Sequence, residues 1–197
     1  MSRDDKRKLI LNATMELLAE KGFHDAPCSL IAERAGVAAG TIYRYFENKD
    51  VLINDLYLDI EGRISAILLV GYPSEGSIRD RFMHLGTGIL NFFISNPSEF
   101  RFVEQFHNSP YGTAFRRDRL LGVQQENDTC RKCEMFKELF TEALEKQVVK
   151  QLPLILLFDL AFGPIVSVAR NHVLGFIMLD DGLIELMVSA CWDGLKR

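Results

Sequence analysis

One stretch near the N terminus, residues 29–46, restricts the possible folds of this chain more than any other. Ile31 and Ala35 lie four residues apart and therefore share one face of a short helix. Gly36 follows the last residue of this pattern, and glycine readily adopts the left-handed conformation in which many helices end. The same four-residue spacing resumes a few positions later, so the stretch predicts two short helices joined by a tight turn.

The second of these helices, from about Gly40 to Phe46, is predicted to have a polar outer face. Ile42 and Phe46 point inward, and the side chains left on the outside are Thr41, Tyr43, Arg44 and Tyr45. Threonine and arginine can bond to base edges, whereas tyrosine hydroxyls and the ammonium of Lys49 can reach phosphates. Asn48 is predicted to cap the next helix. The pattern is that of a helix-turn-helix that reads DNA.

These residues resemble the signature of the TetR (tetracycline-repressor) family of transcriptional regulators. The resemblance covers roughly residues 10 to 56, and the residues that carry it are Ile31-Ala32, Ala35-Gly36-Val37, Gly40-Thr-Ile-Tyr43, Tyr45-Phe46, Asn48-Lys49 and Leu52. It implies phosphate contacts from Tyr43, Tyr45 and Lys49. The full predicted DNA-contact set is Ser29, Ala39, Gly40, Thr41, Tyr43, Arg44, Tyr45 and Lys49.

The chain departs from the family pattern at Pro27-Cys28, close to the start of the first reading helix. Family members often carry threonine or serine there as the N-cap. Loss of such a cap costs about 1 kcal/mol of local stability. Ser29 and Asp25 are the candidates to replace it.

Net charge gives the chain no general attraction to nucleic acid, because 27 acidic residues outnumber 23 basic ones. Residues 1–50 are balanced, with eight residues of each sign. Phosphate contacts must therefore come from local placement of basic groups. The charged N terminus has no apolar segment of the secretory type, so we expect a cytoplasmic protein with four reduced cysteines.

The rest of the chain shows helical spacing and turn-rich breaks rather than the alternation of strands. We therefore predict an all-α fold with an N-terminal three-helix DNA-binding domain at 1–50 and a linker helix at 48–70. Residues 51–197 are predicted to form a helical effector-binding and dimerisation domain, with a loop at 108–112. Further helices are predicted over residues 4–22, 77–95, 98–107, 132–150, 152–169 and 183–195.

Twelve of the 14 phenylalanines lie beyond residue 50, more than an anchor for a DNA reader requires. Most are expected in the core, but aromatic side chains also line small-molecule pockets. The TetR resemblance implies an effector that binds in this region and moves the DNA-binding domains of two subunits apart. We expect a small apolar or amphipathic effector that releases a repressor from its operator. The predicted pocket residues are Phe92, Phe93, Phe102, Phe106, Phe136, Phe140, Phe158 and Phe162.

The apolar run that starts at Pro153 could cross a membrane or form an oligomer interface. Asp159 and the Gly163-Pro164 pair interrupt it, and it is shorter than the roughly 20 residues that a span needs. We therefore predict no membrane partner and a homodimer built from this run and the last helix. The last helix is predicted to pack inward through one side that includes Leu186 and Cys191. The predicted dimer residues are Leu156, Val166, Leu183, Leu186, Met187 and Ala190.

Other chemistry has little support in the sequence. Cys130 and Cys133 form a single CxxC pair, which lacks the second pair of a structural zinc site, although a redox switch at these thiols remains an alternative. The four histidines have no evident catalytic partners, and no phosphate-binding loop occurs. We therefore predict no metal, no cofactor and no enzymatic activity. A helical enzyme is kept as the rival class.

Overall fold

The computed structural model describes residues 3–23, 25–120 and 131–197, with side chains described outside 116–120 and 131–134. The predicted all-α fold is confirmed, and outside the helices the described residues form one isolated bridge, between Val149 and Lys196. The described residues form ten helices, namely α1 (Arg3–Lys21), α2 (Cys28–Arg34), α3 (Ala39–Tyr45), α4 (Lys49–Leu69), α5 (Ile78–Ser95), α6 (Pro97–His107), α7 (Pro110–Leu120), α8 (Arg131–Glu145), α9 (Leu154–Val173) and α10 (Asp181–Leu195).

The chain divides into two compact units. The first takes in the described residues within 1–60 and 98–128, so α6 and α7 join the N-terminal helices. The second takes in the described residues within 61–97 and 129–197. These compact units do not test the predicted boundary at residue 50 between a DNA-binding domain and an effector-binding domain, which stays a prediction.

The core of the first unit forms where α1, α2 and α3 pack together. Leu17 of α1, Ile31 of α2 and Ile42 of α3 are all fully buried. Gly36 has a φ of +66°, the left-handed conformation that ends α2 as the sequence predicts. The amide of Val37 then donates to the carbonyl oxygen of Ala32 at 2.9 Å, which holds the turn toward α3.

The second unit is built around α5, which packs against α9, α10 and α8. Ser77 and Asp80 form a capping box at its start, with the Asp80 amide donating to the Ser77 hydroxyl at 3.1 Å. Phe82 of α5 is fully buried. Its ring centroid lies 5.4 Å from that of Trp192 on α10.

Several predicted boundaries differ from the structure, as at α7 and α8. α7 begins at Pro110, inside the predicted loop at 108–112. α8 ends at Glu145 rather than residue 150, because Gln147 turns at a φ of 55° and the amide of Lys150 donates to the carbonyl oxygen of Leu195 at 2.9 Å.

The inward face of α10 also differs from the prediction. Leu186 is 66% exposed, although Cys191 is buried as expected. The buried residues of α10 are Ile184, Val188, Cys191, Trp192 and Leu195. The apolar side chains next to this set therefore form a second, outward face.

Within the described part of the chain, α9 is the one helix with the length and apolar character needed to cross a membrane, and only 22% of its 18-residue apolar stretch is buried. Its buried residues, one turn apart, are Leu157, Ala161, Ile165 and Ala169. Leu156 and Leu160 on another side are 45% and 44% exposed. α9 therefore packs on the second unit through one face and leaves an apolar face uncovered.

Candidate nucleic-acid interface

The two short helices α2 and α3 form the predicted helix-turn-helix. Ile42 and Phe46 point into the core, at 0% and 1% exposed. The amide of Thr41 donates to the carbonyl oxygen of Ala38 at 2.7 Å, which closes the first turn of α3. The burial of these two side chains fixes which side of α3 faces outward.

The predicted contact residues lie on that outward side or next to it. Tyr43 is 58% exposed. Four more residues of the set are exposed, namely Ser29, Ala39, Gly40 and Arg44. Three are half-buried, namely Thr41, Tyr45 and Lys49. The structure therefore presents a hydroxyl, a guanidinium and small residues at one surface, the combination that base edges and phosphates can engage.

The start of α2 resolves the question of its cap. Pro27 occupies the N-cap position with extended backbone, and within the described residues no side chain caps this end. Neither Ser29 nor Asp25 replaces the missing cap. Cys28 is the first helical residue, and its thiol beside the Tyr43 hydroxyl raises the pKa of that tyrosine.

The start of α4 lies beside the same surface. The Oδ1 atom of Asn48 accepts a hydrogen bond of 2.9 Å from the amide of Val51, which confirms the predicted cap. The Nζ atom of Lys49 donates to the carbonyl oxygen of Phe23 at 2.7 Å. This bond uses one of the three N–H groups of the ammonium. The other two leave Lys49 able to donate to a phosphate.

Two arginines of α1 reach α3 and its cap, a feature that the sequence analysis did not assign. The guanidinium of Arg3 lies 6.0 Å from the ring centroid of Tyr45, and that of Arg7 lies 5.5 Å from the ring centroid of Phe46. Arg7 also pairs with Asp55 of α4 at 3.0 Å. The four-residue spacing of the two arginines on a helix was the available signal.

A third arginine of the region is held by carboxylates of α1. The Arg34 guanidinium lies 3.1 Å from Glu20 and 3.5 Å from Glu16. Its hydrogen bond and charge lower the pKa of Glu20, and Glu20 in turn raises the pKa of Arg34. Arg34 therefore ties α2 to α1, whereas Arg44 projects from the outer face of α3.

The phenylalanines of the predicted effector pocket fall into both units. Phe102 and Phe106 of α6 belong to the first unit, with ring centroids 6.0 Å apart. The other six belong to the second unit, where the rings of Phe136 and Phe162 approach to 4.6 Å. Close ring packing of this kind is typical of a core.

A cleft of about 380 Å³ lies on the second unit between the end of α4 and α5. Leu68, Gly88 and Phe92 contribute to its apolar lining, and the Nε2 atom of His84 donates to the carbonyl oxygen of Leu68 at 2.9 Å. Of the predicted pocket residues, Phe92 lines this cleft. The predicted pocket as a whole stays a prediction.

The predicted dimer residues lie on the uncovered faces of α9 and α10. Leu156, Leu183 and Leu186 are 45%, 40% and 66% exposed. Ala190 is exposed, and Val166 and Met187 are half-buried. Cys130 and the side chain of Cys133 lie outside the described residues. Among the described residues, no group of three or more His, Cys, Asp or Glu side chains could hold a metal ion.

Comparison with known proteins identifies both halves of the chain. The profile of "Bacterial regulatory proteins, tetR family" matches residues 10–56, and that of "Tetracyclin repressor-like, C-terminal domain" matches residues 77–196. The chain is 26% identical over 189 residues to the "Fatty acid metabolism regulator protein" of Bacillus subtilis, covering 91% of this chain and 92% of that protein.

Solved structures agree with the profiles. A putative TetR-family regulator from Vibrio parahaemolyticus is 31% identical with a TM-score of 0.72, covering 98% of this chain and all of that one. A TetR-family regulator from Marinobacter aquaeolei has a TM-score of 0.81 at 23% identity and covers 99% of this chain and 98% of that one. The chain belongs to the TetR family of bacterial transcriptional regulators, helix-turn-helix DNA-binding proteins that are not enzymes, as the sequence analysis predicts.

Proposed function

We propose that this regulator is a homodimeric repressor that a small apolar or amphipathic effector releases from its operator. Residues 1–50 are the DNA-binding part, α4 is the linker, and residues 51–197 bind the effector and form the dimer. The protein acts in the cytoplasm, where the operator is. The observation that carries the proposal is the outer face of α3 with Tyr43 and Arg44 exposed beside the small residues Ala39 and Gly40.

The uncovered face of α9 and α10 supports the dimer. Soluble proteins seldom expose several large apolar side chains together unless another surface covers them. Gly163 of α9 and Gly194 of α10 are exposed, and apart from the adjacent residues and backbone of its own helix, no described atom lies within 4 Å of where a Cβ would stand at either one. Exposed small residues allow a second pair of helices to approach closely. A specific interface buries about 800 Å² on each partner.

A dimer also fits the small size of α3, the helix proposed to contact the bases. α3 has seven residues and can reach only a few base pairs from one major groove. Two readers on a two-fold axis would contact half-sites about 34 Å apart or somewhat more. The operator is therefore expected to be an inverted repeat.

The effector class is supported by the character of the second unit and by a relative. The predicted pocket residues of this unit are aromatic, and its cleft is lined by both apolar and polar side chains. The Bacillus subtilis relative is a fatty acid metabolism regulator. We therefore propose a molecule with an acyl chain as the effector.

Selection of bound duplexes from random DNA tests the regulatory function. Purified protein should enrich an inverted repeat, and the enriched duplex should bind far more tightly than a shuffled duplex of the same composition. Enrichment of a single unpaired site would rule out two symmetric readers. Failure to enrich any sequence would rule out specific operator binding.

The effector proposal is tested with the selected duplex. Octanoic, dodecanoic and hexadecanoic acids are titrated into the protein–duplex complex, with detergents of matched chain length as controls. Release by a fatty acid at concentrations where the matched detergent has no effect supports an acyl effector. Equal release by acid and detergent, or retention of the complex throughout, would count against it.

A further inference from the structure

Phe23 lies in the turn that joins α1 to α2, and its backbone contacts the start of α4. Gly22 before it has a φ of +79°, so the chain leaves α1 in the left-handed conformation that glycine allows. The Phe23 carbonyl oxygen then accepts the hydrogen bond of 2.7 Å from the Nζ atom of Lys49. Lys49 is the first residue of α4 and one of the expected phosphate contacts.

The ring of the same residue packs on α6 and α7. Its centroid lies 5.9 Å from that of Phe102 and 5.7 Å from that of Tyr111. Phe102 is fully buried, so this side of the contact has little freedom to move. The α1–α2 turn is therefore held from one side by its ring and from the other by its carbonyl.

A second connection joins α7 to the first turn of α4. The Tyr111 hydroxyl lies near the Asp50 carboxylate, and burial together with the charge of that carboxylate raises the pKa of Tyr111. Asp50 is the neighbour of Lys49 in α4. Tyr111 thus packs on the ring of Phe23 and lies near Asp50, the residue that follows Lys49.

We propose that Phe23 is a positioning residue for DNA binding, which places the Lys49 ammonium for a phosphate through its ring contacts with Phe102 of α6 and Tyr111 of α7. This inference rests on the proposed function of Lys49 as a phosphate contact. The start of a helix such as α4 favours a nearby anion, and an ammonium fixed at that point adds a charged donor. A smaller side chain at position 23 would keep the carbonyl group but would remove the ring contacts that fix its location.

A double-mutant cycle on the selected operator tests the inference. Lys49→Gln should weaken binding several-fold and reduce the slope of log affinity against log salt by about one, as expected when a phosphate contact is lost. Phe23→Leu should produce a similar loss in affinity and slope. In the Lys49→Gln background, Phe23→Leu should cause no further loss. Phe23→Tyr, which keeps the ring, should restore the wild-type slope.

Phe115→Leu is the matched control, because Phe115 belongs to the same unit and its ring lies 5.1 Å from that of Tyr57 and 5.9 Å from that of Phe106. It should lower the melting temperature and leave the salt slope unchanged. If the losses from Phe23→Leu and Lys49→Gln add, Phe23 acts on the fold and not through Lys49, and the inference is wrong. If wild-type protein selects no operator, the proposed function itself fails first.

Discussion

Gly86 of α5 lies so close to Val188 of α10 that a Cβ atom at Gly86 would stand 2.6 Å from the Cγ1 atom of the valine. Val188 is fully buried, and Ile165 of α9 lies 3.4 Å from the same point. The three helices of the second unit therefore meet where one side chain is missing. The glycine allows the close approach of α5 and α10.

Gly86→Ala should destabilise the chain because neither neighbour has room to move. Overpacking of this kind costs about 1–3 kcal/mol. At this chain size each kcal/mol lowers the melting temperature by about 2–4 °C. Gly62→Ala in α4 is the control, since a Cβ there would meet no described atom within 4 Å apart from the adjacent residues and backbone of its own helix. It should stabilise the helix by about 0.5–1 kcal/mol. Thermal unfolding that moves both variants in the same direction would contradict this account of α5.

Glu142 should make the stability of the second unit depend on pH in the acidic range. The Glu142 carboxylate accepts hydrogen bonds from Lys146 and from Arg81, each at 2.7 Å, and these lower its pKa below the ordinary 4.5. The folded chain thus holds the charged form more strongly than the unfolded chain does. The resulting stabilisation is present above pH 4.5 and is lost as the pH falls through the lowered pKa.

Glu142→Gln should therefore melt at a lower temperature than wild type at neutral pH. The two melting temperatures should converge as the pH falls below 4.5. Arg81 is only 13% exposed and would lose its carboxylate partner, which adds to the effect at neutral pH. Glu145→Gln, at an exposed position of the same helix, is the control. A difference between wild type and Glu142→Gln that stays constant with pH would show that the carboxylate charge is not involved.

Arg44→Ala should weaken operator binding by about 1–3 kcal/mol and barely change binding to random DNA, because arginine can bond a guanine edge in two places. Competition binding with the selected duplex and a shuffled duplex measures both. Arg34→Ala is the control, as its guanidinium is held by Glu16 and Glu20. Equal losses on both duplexes would show that Arg44 contacts only the backbone.

Leu186→Glu should separate the dimer. This side chain is 66% exposed on the proposed interface, so a charge there leaves the fold of one chain intact but costs desolvation when two chains meet. Sedimentation velocity should show a monomer with poor operator affinity. Val70→Glu changes an apolar side chain that is 75% exposed and lies outside α9 and α10, and it should remain a dimer. A Leu186→Glu variant that stays dimeric would place the interface elsewhere.

The helix-turn-helix could be predicted from sequence because the residues that define it lie close together in the chain. Ile42 and Phe46 set the inward face of α3, Gly36 ends α2, and Asn48 caps α4 within a few residues of each feature. Each depends on helix geometry alone. The helix positions elsewhere were predicted for the same reason, with errors at the ends.

Contacts between distant residues could not be read in this way. The bond from Lys49 to the Phe23 carbonyl and the approach of Arg3 to Tyr45 depend on tertiary packing. After α8 ends, Val149 forms a bridge with Lys196, a pairing that no local pattern encodes.

The face of α10 was misassigned because its apolar residues serve two surfaces. Ile184 and Val188 pack inside the chain, whereas Leu183 and Leu186 lie outside. Hydrophobic spacing marks a side chain as apolar and does not say whether its own chain or another covers it. The outward apolar face of α10 follows only from which of its residues pack inside the chain.

The stoichiometry of the protein bound to its selected duplex tests the central proposal most directly. Sedimentation equilibrium or native mass measurement should give two chains, or a multiple of two, on a duplex that carries both half-sites. A duplex cut to one half-site should bind much more weakly. A complex of one chain per duplex, with equal affinity for the whole site and for its half, would contradict a dimeric two-reader regulator.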